Sequence, residues 1–150
     1  YSDTGTTFVL GANPEAEKMY HTLWEVFESH LDLLAPGKKP SAILKAFGRS
    51  YEKLKMKGGL GYQGHAIGLQ TREHPVIYRS EYKRIADEIV DISIDIPLEE
   101  GMVINIETPV DVLGKGSYQV ERTFRITKDK PEELTPKRES APHVIKEAAA

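Results

Sequence analysis

Apolar residues recur at three- and four-residue intervals through Ala16, Met19, Tyr20, Leu23, Trp24, Phe27, Leu31 and Leu34, the spacing of one face of an amphipathic helix. Asn13 and Pro14 supply an N-cap and a proline at the first helical position, and Pro36-Gly37 stops the run, so a helix is predicted over residues 14–34. A second helix is predicted over residues 41–54, with Ile43, Leu44, Phe47, Tyr51 and Leu54 on its buried side. Gly58, Gly59 and Gly61 then break the pattern and introduce a loop. Ahead of the helices, residues 1–10 form a β-rich stretch read as an opening strand. Behind them the period falls to two: a short strand at Val76, Ile77 and Tyr78, a turn over residues 97–101, and strands over residues 102–107 and 117–127. Residues 80–96 stay open between a short helix and a strand that begins near Ile92. Strand, two helices, loop and several antiparallel strands make an α+β fold, with helices covering one face of a curved sheet.

Alternation also says where charge sits. In the strand at 102–107, Met102, Ile104 and Ile106 share one face, and Val103, Asn105 and Glu107 the other. In the strand at 117–127, Tyr118, Val120, Phe124 and Ile126 alternate with Gln119, Glu121, Thr123 and Arg125. Glutamate is depleted in strands, because a charge among packed side chains is costly unless it is compensated. If the two strands pair as a hairpin, Glu107 and Glu121 converge on one side of the sheet, and Asp3 in the opening strand can join them. The plainer account leaves these acids solvated on an exposed sheet face, partnered by Arg122 or Arg125.

Composition narrows the chemistry further. The 150 residues suffice for one domain with a core. With 20 basic and 23 acidic residues the formal net charge is −3, which gives nucleic-acid binding no support. No apolar run is long enough to span a bilayer and no signal peptide opens the chain, so no membrane partner is expected. Cysteine is absent, which removes thiolate ligands and fits a cytoplasmic protein. Any metal must be held by oxygen and imidazole. The chain opens inside a β-rich stretch without an initiator Met, so a preceding segment is expected, whereas the proline-punctuated residues 136–150 are expected to be a polar, surface-draped or frayed tail.

Four segments, in order, resemble the pita-bread metallopeptidases that include methionine aminopeptidase, prolidase, aminopeptidase P and creatinase. Ser2-Asp3-Thr4-Gly5-Thr6-Thr7-Phe8 is similar to that family's S-D-x-T-R-T-F, and Gly64-His65-Ala66-Ile67-Gly68 to its G-H-G-I-G. Gly101-Met102-Val103-Ile104-Asn105-Ile106-Glu107 resembles G-M-V-x-T-I-E, and Gln119-Val120-Glu121-Arg122-Thr123 resembles R-I-E-D-T. Each motif alone is weak; four in sequence are strong. The resemblance implies a truncated, C-terminal portion of a pita-bread catalytic domain over residues 1–135. It implies metal ligation by Asp3, His65, Glu107 and Glu121, with Glu107 also shuttling protons. Two divalent ions (Mn²⁺, Co²⁺, Fe²⁺ or Zn²⁺) sharing the carboxylates and a bridging water suit such a hard donor set. The implied function is hydrolysis of a small peptide or amide, foremost an Xaa-Pro bond, by a protein that is a homodimer at full length.

Departures from the pattern shape the expectations. The family's second metal-binding aspartate lies upstream of the S-D motif and is not in this chain, so the 150 residues alone are expected to have little or no activity. Arg72 stands seven residues after His65, where prolidase-like members place a substrate-contacting histidine. Arg72 either clamps a substrate carboxylate or pairs with an acid such as Glu73 or Glu121. His74, two residues on, shares its face if the segment is extended and can substitute. The interval filled by residues 77–98 is longer than is usual in the family and is a candidate lid or dimer contact. Two rivals remain: a non-peptidase enzyme of creatinase-like amidinohydrolase or lyase type, and a metal-free protein-binding module on the same fold. His21, His30 and His143 are read as surface residues, Trp24 as core, and the lysines at 53, 55 and 57 as a solvated helix end.

Overall fold

The structure is a computed structural model and describes residues 3–56, 62–78, 95–136 and 140–146. The glycine loop at 58–61 and residues 79–94, which hold most of the longer interval and of the open helix-or-strand segment, lie outside the described residues, as do Ser2 and Lys57.

After strand β1 (Phe8–Leu10), helix α1 (Pro14–Glu28) starts where Asn13 accepts a hydrogen bond from the Ala16 N–H at 3.1 Å, with Pro14 pre-set for the first turn. It stops well short of the predicted end. Ser29 Oγ and His30 Nδ1 both bond the Val26 carbonyl, at 2.8 and 2.6 Å, and a short 3₁₀ turn (Leu31–Leu33) carries the remaining apolar positions. Helix α2 (Pro40–Lys53) lies where it is predicted and begins on Pro40.

The main sheet contains β2 (Tyr62–Ala66), β3 (Glu73–Tyr78), β4 (Val103–Glu107), β7 (Glu121–Arg125) and β8 (Glu132–Glu133), in the order β3-β2-β4-β7-β8 and antiparallel throughout. Its apolar face receives the helices. Phe27 of α1 meets Phe124 with ring centroids 6.1 Å apart, and α2 packs chiefly on β3. Tyr20, Leu23, Phe27, Ile43, Phe47, Tyr51, Ile104, Ile106, Phe124 and Ile126 are all essentially inaccessible, each contributing about 1.5–3 kcal/mol of burial. No helix among the described residues is long and apolar enough to cross a membrane.

Three expectations fail locally. The single strand over residues 117–127 is two: β6 (Gly116–Tyr118) forms a separate hairpin with β5 (Val110–Val112), and β7 begins at Glu121. Gln119 and Val120 leave the ladder because threonines from elsewhere take their backbones. Thr7 Oγ1 accepts from the Gln119 N–H and donates to its carbonyl, at 2.9 and 3.2 Å, while Thr108 Oγ1 does the same for Val120 at 3.2 and 3.1 Å. The opening strand is also shorter than expected. Only Phe8–Leu10 is strand, Gly5 makes one bridge to Glu121, and Asp3 lies outside any ladder. Finally, the tail is not uniformly loose: β9 (His143–Ile145) pairs in parallel with β1, and His143 stacks on Phe8 at 5.2 Å.

Candidate metal centre

The pairing of β4 with β7 places Glu107 directly opposite Glu121, as the alternation predicts. One step along, His65 on β2, Asn105 on β4 and Thr123 on β7 form a row across three strands. Opposite residues in a ladder point to the same side, so this row and the glutamate pair occupy one face. Arg122 points to the other face and is not their partner. It forks onto Glu133 at 2.7 and 2.5 Å, pairs with Glu28, and lies 5.1–5.2 Å from the ring centroids of Trp24, Phe27 and Phe124. Arg125 pairs with Glu132 at 2.5 Å. The plainer account, with these arginines neutralising Glu107 and Glu121, therefore fails.

His65 is 2% exposed. Its Nδ1 is 2.9 Å from the Ala66 carbonyl, which can only accept, so Nδ1 carries the proton and Nε2 presents a lone pair. That lone pair faces Asp3 Oδ2 at 3.4 Å. Burial lowers the imidazole pKa and outweighs the Ala66 carbonyl and Asp3, which raise it, while the nearby charge of Arg72 adds to the lowering and the neutral ring is favoured. Gly64 is what lets β2 run this close to β4: its φ is +144°, and a Cβ there would meet the Asn105 carbonyl oxygen at 2.0 Å.

Glu121 is 6% exposed, and burial, followed by the charges of Glu107 and Asp3, pushes its carboxyl up to about 8, with a hydrogen bond from Asn105 offsetting part of the rise. A buried carboxylate with the charges of two others near it calls for a positive or donor group. Gln119 supplies one: its Nε2 donates to Glu107 Oε2 at 3.1 Å and to Glu121 Oε2 at 2.9 Å. Glycine at position 5 makes room beside them, since a Cβ there would lie 2.3 Å from Glu121 Oε2. Below the site, fully buried Tyr51 donates to Gln63 Oε1 at 3.4 Å, and burial, with a contribution from the charge of Glu107, raises the Tyr51 pKa.

The donor chemistry fits hard divalent ions: one neutral imidazole whose Nε2 faces a carboxylate, and three carboxylates in all, one of them strongly resisting ionisation. His65–Asp3 and Glu107–Glu121 are formed as two pairs, while among the described residues no three acidic or histidine side chains converge on one point. Sequence reasoning misses Gln119, although it precedes Glu121 by two positions on the same alternation.

Arg72 and His74 are less regular than an extended strand implies. Arg72 precedes β3, and the β2–β3 register runs from Ala66↔Glu73 directly to His65↔Val76, so His74 and Pro75 bulge out of the ladder. His74 is half-buried and its Nδ1 is buried without a hydrogen-bond partner. Glu73 accepts from the Gln70 N–H at 2.7 Å, closing the turn over Gly68. His30 stacks on Phe47 at 4.5 Å and, like exposed His21 and His143, lies apart from the ligand face.

Residues 1–128 match metallopeptidase family M24, and the chain belongs to it. It is 29% identical over 137 residues to an uncharacterised peptidase of Methanocaldococcus jannaschii, a match covering 89% of this chain and 36% of that protein. It is 30% identical over 112 residues to the methionine aminopeptidase of Aquifex aeolicus, covering 73% and 40%. The dipeptidase PepE of Mycobacterium ulcerans superposes with a TM-score of 0.79 at 20% identity, over 97% of this chain and 36% of that one, which establishes the pita-bread fold. A similarity of 28% over 130 residues also reaches the FACT complex subunit SPT16 of Oryza sativa, covering 85% and 11%. The chain thus spans well under half the length of each of these proteins.

Proposed function

We propose that this chain carries the greater part of a divalent-metal site that hydrolyses a small peptide bond next to a free N-terminus, foremost of the Xaa-Pro type. The observation that supports this most is the Glu107–Glu121 pair, directly opposed across two strands, beside an imidazole whose lone pair faces a third carboxylate. Asp3 and Glu121 would each hold ions, His65 would bind one through Nε2, and Glu107 would bind and move a proton between nucleophile and leaving amine. Bound divalent ions supply a nucleophilic water at neutral pH and polarise the scissile carbonyl. The protein's own groups set that up: the Ala66 carbonyl fixes the His65 tautomer, and the strand pairing holds the two glutamates opposite each other. Arg72 would clamp the substrate carboxylate, with His74 at the bulge beside it.

A second reading, a metal-free protein-binding module, is favoured by the similarity to SPT16 and by the Gln119 amide between the two glutamates. Elemental analysis of the full-length protein that contains this chain, beside its His65→Ala variant, separates the two. Stoichiometric Mn, Co, Fe or Zn that falls in the variant, with turnover of Xaa-Pro dipeptides, is the expected result. No bound metal after reconstitution with Mn²⁺ or Co²⁺ overturns it in favour of the binding module.

A further inference from the structure

Of the four candidate ligands, Asp3 alone reaches the site from outside a strand ladder. Something other than sheet pairing must hold it. Its backbone carbonyl is bound twice: Thr123 Oγ1 donates to it at 2.7 Å and Asn105 Nδ2 at 2.9 Å. The two clamping side chains also touch, Asn105 Nδ2 lying 3.4 Å from Thr123 Oγ1. Neighbouring ties are longer and lie further along: Thr4 Oγ1 to the Glu121 carbonyl at 3.3 Å and the Glu121 N–H to the Gly5 carbonyl at 3.2 Å.

Asn105 is an odd choice for its position. It is wholly inaccessible, sits mid-strand between Ile104 and Ile106, and its Oδ1 has no hydrogen-bond partner. Burying an unsatisfied amide oxygen is a cost that valine or threonine at the same position would avoid. What asparagine offers in return is reach. Its amide nitrogen extends past its own ladder to a segment that only a single bridge among the described residues, Gly5 to Glu121, pairs with the sheet.

We infer that Asn105 and Thr123 are positioning residues for Asp3: by gripping its carbonyl from the sheet they hold its carboxylate against His65 Nε2. Their part is to place a ligand, not to be one. This inference rests on the metal-site reading above and names how that site keeps its off-sheet ligand.

The test is a double-mutant cycle read by calorimetric titration with Mn²⁺. Asn105→Leu and Thr123→Val remove each donor at similar volume, and Thr123→Ser keeps the hydroxyl. Each is made alone and on an Asp3→Asn background, with thermal unfolding to confirm a folded chain. The expected result is roughly a tenfold or greater loss of Mn²⁺ affinity for Asn105→Leu and Thr123→Val, near-native affinity for Thr123→Ser, and no further loss when Thr123→Val is added to Asp3→Asn. Equal losses from Thr123→Val with and without the Asp3 carboxylate overturn the positioning role while leaving the metal site standing. A native protein that takes up no Mn²⁺ overturns both. Should Asn105→Leu fail to fold, the Thr123→Val and Thr123→Ser pair decides the question alone.

Discussion

Replacing Gly64 with alanine should damage both the sheet and the site, for a reason visible at one atom. A Cβ at position 64 would lie 2.0 Å from the backbone carbonyl oxygen of Asn105 and 3.0–3.1 Å from the Asn105 carbonyl carbon and Ile106 Cα. Ordinary carbon–oxygen contact needs more than another ångström, and backbone in the middle of a ladder cannot swing aside as a side chain does. The left-handed φ of +144° adds about 1–2 kcal/mol for any residue with a Cβ. Prising β2 from β4 then weakens the ladder bonds around Gly64↔Ile106, at about 1 kcal/mol each. The sum is about 3–5 kcal/mol, which for 150 residues means a fall of roughly 10 °C or more in melting temperature. Two other glycines calibrate the experiment. At Gly68 the clash is with the Glu73 carboxylate, a flexible side chain, so Gly68→Ala should cost far less. At Gly48, mid-helix in α2 with open space around it, alanine should stabilise by about 0.5–1 kcal/mol. Melting curves of the three variants, with Mn²⁺ titration of Gly64→Ala, decide the matter. If Gly64→Ala melts within about 3 °C of the native protein, or no lower than Gly68→Ala, the close approach of β2 to β4 is wrong.

Two further perturbations probe the two faces of the sheet. On the apolar face, Arg122→Leu strands Glu133 and Glu28 and removes the guanidinium from three aromatic rings; because Glu28 is partly exposed and can rehydrate, the cost should be about 2–4 kcal/mol, and a change below about 1 kcal/mol in urea unfolding would refute it. On the ligand face, the pKa of Glu121 is raised from 4.5 to about 8, so over that range the native state keeps a proton that the unfolded chain has released, and stability falls as pH rises. His65 acts oppositely, since its lowered pKa means stability is lost as pH falls below its ordinary 6.5. Between pH 6.5 and 8 only the glutamate effect remains, and metal-free protein should lose up to about 1.4 kcal/mol per pH unit there. Denaturation in chelator at the two limits checks the sign, and a flat or rising profile contradicts the buried carboxylate pair.

The glutamate pair is legible in the sequence because alternation assigns faces, and two adjacent strands with one apolar side each leave little choice of pairing. Arg122, which the sequence reading offers as a partner of these acids, sits between Val120 and Phe124 in that alternation, on the face away from Glu121. Sequence reading fails where side chains far away in the chain rewrite a local pattern. Nothing near Gln119 announces that Thr7, 112 residues earlier, will take its backbone and end the ladder there. Helix α1 stops early because Ser29 and His30 compete for the Val26 carbonyl, although apolar spacing continues through Leu34.

Asp3 shows the limit most clearly. Its candidacy is readable from the motif, yet the extended opening strand that would carry it to the sheet does not form. Periodicity states which side of a strand a residue faces; it says nothing of how far a non-strand segment lies from the sheet. That distance is set here by a buried asparagine and a threonine gripping one carbonyl. In the sequence Asn105 reads simply as a polar residue on the polar face, and only its orphaned oxygen in a fully buried position shows that its nitrogen is what the fold retains. The candidate ligands of this chain are therefore placed by two devices, strand register for His65, Glu107 and Glu121 and a side-chain clamp for Asp3, and only the first is written in the spacing of the sequence.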